Sequence, residues 1–236
     1  MFEERQPDWL RRFTQEDMVA LGMRTALATL GPFGAFFGDF LTQFVPNQRL
    51  DRLQDFVEKM HERLSSFEAP FSSRVASSEA YASLVEEVTV QAVRTPSDDR
   101  RLALVELLRT GLSRSDAELI DHQALLRILE NINDPQILIL MKHGSFSQAM
   151  HDTARAAFIA QHASTLDVRP PALGDDDDDQ QRRWAIHVYY VDDLIARGLL
   201  RDVEGMVKSG SQKNVRITHL GKLLLQAIGQ PVDRNA

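Results

Sequence analysis

The chain has 236 residues and a mass of 26.7 kDa, enough for one large domain or two small ones. Hydrophobic residues are 43% and charged residues 26%, which excludes wholesale disorder and collagen-like repetition. The lack of any Cys excludes disulfide scaffolds, zinc–cysteine sites, Fe–S clusters and thiol chemistry.

The net charge of -7 argues against a protein that coats nucleic acid along its whole surface. The charge is uneven, however: -6 over residues 1–132, -5 over 133–180 and +4 over 181–236. An acidic body with a basic C-terminal end points to one anion-facing surface.

The first twelve residues are polar and carry no apolar core of a secretory signal, so the expected location is cytoplasmic. The uncharged stretch Thr25–Gly38 covers 14 residues, short of the ~20 that a spanning helix needs. Membrane contact is therefore not expected. The segment 31–44 is rich in Gly and Phe and pairs Gly34 with Gly38, a spacing that lets helix backbones approach closely. It suits either a kinked helical hairpin packed under the 49–67 helix or, less well, an oligomerising or membrane-active helix.

Helical periodicity then dominates. Over 49–67, Leu50, Leu53, Phe56, Val57, Met60, Leu64 and Phe67 form one apolar stripe, with Asp51, Arg52, Asp55, Glu58, Lys59 and Glu62 on the other face. A second helix is predicted over 78–94. A third runs from Ser97 to about Thr110, with Gly111 closing it in a left-handed cap. A fourth, 115–132, opens on a capping box from Ser115 to Glu118.

Asp134-Pro135 reads as an N-cap followed by the first helical residue. The run 137–141 could be a buried strand by composition, but the cap before it and Gly144 after it favour a short buried helix. Another helix is predicted over 147–162. Pro170, Pro171, Gly174 and five consecutive Asp, 175–179, make 166–181 an acidic loop.

The remainder alternates helix and strand. A helix over 182–197, with Trp184, Val188, Val191, Leu194 and Ile195 inward, ends at Gly198. A strand over 199–203, a polar turn over 204–213 and a returning strand over 214–217 follow. Thr218 caps a last helix that Gly229 and Pro231 stop. Leu194, Leu199, Ile217, Leu220 and Leu224 are expected to share one small core.

A two-stranded ribbon directly behind a helix has the order of a winged helix. Residues 191–228, through Leu194, Gly198, Leu199, Arg216, Ile217, Thr218 and Gly221, resemble MarR- and PadR-type winged-helix regulators. The resemblance covers about forty residues, or about ninety if the helices from Asp134 open the same domain. It implies a mainly α fold: a helical domain, 1–132, then a winged-helix domain, 133–230, with a two- or three-stranded wing. It also implies a homodimer on double-stranded DNA. Carried over by position, it points to Gln181, Arg182, Arg183 and His187 on the helix and to Lys208, Ser209, Gln212, Lys213 and Arg216 in the wing.

Catalysis finds no support. There is no Gly-rich phosphate loop and no nucleophile elbow, and the acid pairs Glu86-Glu87 and Asp98-Asp99 are adjacent, so they point apart on a helix. None of the seven His has zinc-hydrolase spacing, and the five Asp lack the alternation of a calcium loop. The expectation is a non-enzymatic DNA-binding, transcription-regulator-like protein with no cofactor and no metal. The alternative is an adaptor or effector whose helical part oligomerises or touches a membrane and whose winged helix binds a protein partner.

Overall fold

The computed structural model describes residues 50–144, 152–171, 177–203 and 215–232. The Gly/Phe-rich segment 31–44, the start of the helix expected over 147–162, the first two Asp of the acidic stretch and the wing turn lie outside these residues. What is described is mainly helical, with one two-stranded antiparallel sheet. Contacts divide the chain into two units at Gln123/Ala124, inside one helix.

The first unit is built on α1 (Leu50–Leu64), a 3-10 turn (Ser65–Phe67), α2 (Glu68–Ser77), α3 (Glu79–Arg94) and α4 (Asp98–Gly111), and α5 (Asp116–Glu130) begins in it. The predicted stripe of α1 is its core face: Leu53, Phe56, Val57, Met60 and Leu64 are fully buried. They pack with α3 and α4, whose Tyr81, Leu84, Val85, Val88, Leu104, Leu107 and Leu108 are buried too. Arg101 ties α4 to α1 through Asp55 and pairs with Asp98 of its own helix at 2.9 Å, so Asp98 acts as an ion-pair partner. The predicted capping box closes α5, with the Ser115 amide donating to Glu118 Oε2 at 2.9 Å.

Three local expectations change. The helix expected through Phe67 breaks at Leu64, and α2, which the sequence did not announce, follows; its Phe71 sets an edge against the Tyr81 ring at 5.8 Å. Gly111 stays helical, and Leu112 continues in the right-handed region at φ -59°. Glycine is there for closeness: a Cβ would stand 3.3 Å from the His122 ring and 3.4 Å from Leu84.

The second unit holds the rest of α5, α6 (Asp134–Gly144), α7 (Asp152–Gln161), α8 (Ala163–Leu166), α9 (Asp178–Ala196), β1 (Leu200–Asp202), β2 (Val215–Ile217) and α10 (His219–Ala227). Residues 137–141 are helical, as their flanks indicated. The cap of α6 is Asn133 and not Asp134, because Asn133 Oδ1 accepts from the Gln136 amide while Gln136 Oε1 accepts from the Asn133 amide. The loop expected through Gln181 is also shorter. Asp177 caps α9 by accepting from the amides of Asp179 and Gln180, and Asp178 and Asp179 form the first turn, where carboxylates favour the helix dipole.

Around the ribbon the expectation and the structure agree closely. Gly198, at φ 72°, ends α9 in a left-handed turn: its amide donates to Ile195 O, and the Leu199 amide donates to Leu194 O. β1 and β2 pair in antiparallel register, Leu200 opposite Ile217, Arg201 opposite Arg216 and Asp202 opposite Val215. Thr218 caps α10, accepting from the Gly221 amide at 3.1 Å. Leu194, Leu199, Ile217 and Leu224 are buried together with Leu225; Leu220 is only half-buried. A Cβ on Gly221 would overlap the Leu199 carbonyl oxygen and come within 2.7 Å of Ile217 Cγ1. Only glycine fits where α10 meets the ribbon.

Candidate nucleic-acid interface

α9 divides cleanly by periodicity. Its buried residues are His187, Val191 and Leu194, spaced four and three apart. The opposite stripe, Arg182, Ala185, Ile186 and Tyr189, is exposed, with Ile186 at 41% and Tyr189 at 65%. The C-terminal half of α9 is fastened by polar contacts as well. Gln136 donates to Asp193 Oδ2 at 2.7 Å, Arg197 donates to the same oxygen at 2.8 Å, and both hold that carboxyl below the usual carboxylate range.

Of the residues the sequence pointed to, Gln181, Arg182 and Arg183 are exposed on the first half of α9. Arg183 lies 3.7 Å from Asp179, so the helix's own acids offset part of its charge. His187 differs from expectation. It is 6% exposed, faces inward and stacks near Trp184 with ring centroids 6.1 Å apart. Its Nδ1 has no hydrogen-bond partner among the described residues. Burial lowers its pKa, the Lys142 ammonium adds to this, and the nearby Thr165 backbone opposes it. A neutral, inward imidazole is a packing group, not a surface contact. Lys208, Ser209, Gln212 and Lys213 lie outside the described residues.

Arg216 is exposed at the middle of β2, and the residue across from it is Arg201, also exposed. Sequence reasoning missed Arg201. The signal was the alternation itself: with Leu200 and Ile217 inward, their neighbours Arg201 and Arg216 must share the outer face. Neither guanidinium has an ion-pair partner among the described residues. Like charges directly opposite on a ladder are destabilising, so packing does not explain the pair.

Elsewhere the described residues offer little chemistry. No group of three or more His, Asp or Glu among them is arranged to hold a metal ion. A shallow open groove lined by Ser164, Asp167, Arg169, Asp177, Gln180 and Arg183 mixes acids and bases without an excess of either. No described helix is long and apolar enough to cross a membrane. No family model, curated protein or solved structure matches the chain.

Proposed function

We propose that the chain is a non-enzymatic, winged-helix DNA-binding protein of the transcription-regulator type, acting as a homodimer. The observation that carries this is the outward pair Arg201 and Arg216, set one across from the other on a ribbon that follows α9 directly. Two cations face to face, with no ion-pair partner among the described residues, cost stability unless an anion lies between or over them. The phosphate backbone of a duplex supplies one. The order helix, Gly198, ribbon and Thr218-capped helix supports the same reading, as does the +4 charge of residues 181–236.

Gel-shift titration at two salt concentrations tests it. The parent protein should bind duplex DNA at low salt, with affinity falling steeply as salt rises through counterion release. Failure to bind at low salt rejects the proposal. The second reading, an adaptor that docks a protein, draws on the exposed Ile186 and Tyr189 and on the acidic first turn of α9.

A further inference from the structure

The outer stripe of α9 poses a separate question. Arg182, Ala185, Ile186 and Tyr189 stand three or four residues apart on the face turned away from the unit's core. Its ends are polar and its middle is apolar. A lone exposed apolar residue needs no account, but here Ala185 and Ile186 form the centre of a helix's exposed face, between an arginine and a tyrosine.

An α-helix fits the major groove, where the base edges are almost wholly hydrogen-bond donors and acceptors. They present one apolar group, the 5-methyl of thymine. If α9 enters the groove, Ala185 and Ile186 have no other chemically matched neighbour. Arg182, one turn earlier on the same stripe, has the fork that matches guanine O6 and N7. We infer that Ile186, with Ala185, is a specificity-determining residue that reads thymine methyl groups, and that the preferred duplexes carry thymines in a fixed register from a guanine read by Arg182. The inference rests on the DNA-binding proposal above. It assigns a role to apolar residues, whereas the charge argument concerned only phosphates.

The test uses the full chain. Duplexes are selected for binding from a randomised pool made with thymidine, then remade with deoxyuridine, which pairs identically but lacks the methyl. The expected result is binding weaker by roughly four-fold per methyl contacted, the worth of one buried methyl group, with the salt slope unchanged. In Ile186→Ala the thymidine and deoxyuridine duplexes should bind more nearly alike. Far-UV circular dichroism should match the parent's, since the side chain is partly exposed.

Equal binding of both duplexes by the parent, with the salt slope intact, overturns the thymine inference and leaves DNA binding standing. No selection and no low-salt binding overturns both. If Ile186→Ala splits an oligomer seen by sedimentation while leaving the thymidine–deoxyuridine difference unchanged, the stripe is a protein interface and the inference fails.

Discussion

Thr218 donates its hydroxyl to the carbonyl of Gly198 at 2.6 Å, closing the base of the ribbon that separates them in sequence. The same oxygen accepts the Gly221 amide, and the Thr218 amide donates to Leu199 O at 3.0 Å. One side chain therefore joins the end of α9 to the start of α10. Thr218→Val removes both the cap and the bridge while keeping the shape. The expected loss is about 1–3 kcal/mol, an N-cap plus one hydrogen bond, read as a shift in the urea midpoint. Thr218→Ser should keep most of the stability, because the hydroxyl is what acts.

The Arg201–Arg216 pair predicts opposite effects on binding and on stability. Arg201→Ala with Arg216→Ala should lower the slope of log affinity against log salt by about two units. The weakening should be similar for every duplex sequence, since phosphate contacts carry no sequence information. Stability should stay level or rise by about 0.2–1 kcal/mol as the cross-strand repulsion is relieved. A clear loss of stability in a salt-independent binder would count against the pair as a phosphate contact.

Asp177 separates two roles within the acidic stretch. Its side chain caps α9, whereas Asp178 and Asp179 are exposed in the first turn. Asp177→Ala should cost about 1 kcal/mol, and Asp177→Ser much less, because serine caps nearly as well. Exchanging Asp178 and Asp179 for Ser should strengthen duplex binding at low salt by removing two charges beside Arg182 and Arg183. Thermal melting and gel shifts on the same variants give both readouts.

His187 and His122 give the pH dependence. Burial lowers both pKa values below the usual value of about 6.5. The unfolded chain then binds more protons than the folded one, so stability is intact above about pH 6.5 and declines as pH falls below it. The carboxylates lowered by ion pairing, such as Asp193, act only at more acid pH. In a Trp9→Phe background Trp184 is the only tryptophan, and it stacks beside His187. Its urea midpoint should drop between about pH 7.5 and about pH 5.5. His187→Leu should shrink that drop; an unchanged drop would assign the effect elsewhere.

The sequence was most legible where a local rule and the packing demand coincide. The stripe of α1, the Ser115–Glu118 box and the Gly198 and Thr218 termini are all such places. It was less legible where tertiary contact decides. Nothing periodic marks α2, whose sequence has Pro70 and three Ser, and Phe71 on Tyr81 provides its anchor. Asn133 and Asp134 are both good caps, and the reciprocal bond from Gln136 makes the choice. The winged-helix resemblance, carried over by position, put His187 on the outer face, although its spacing from Val191 and Leu194 already placed it on the inner one. In the site itself, Gln181, Arg182, Arg183 and Arg216 were legible as exposed cations or amides. The alternation marked Arg201 as outward as well, but its place opposite Arg216 needed the strand register, which residue spacing alone does not supply.

The end of α6 is a glycine for a reason that bears on biosynthesis. A Cβ on Gly144 would lie 2.5 Å from Leu225 Cδ1 and 2.7 Å from Ile217 Cδ1, so α6 closes directly onto β2 and α10. Those two partners are translated well after α6 has left the ribosome. Until they emerge, the contacts of Gly144 with Leu225 and Ile217 cannot form. This unit therefore assembles late, once α10 has been made, and nascent chains stalled before α10 should be the ones that engage chaperones and proteases.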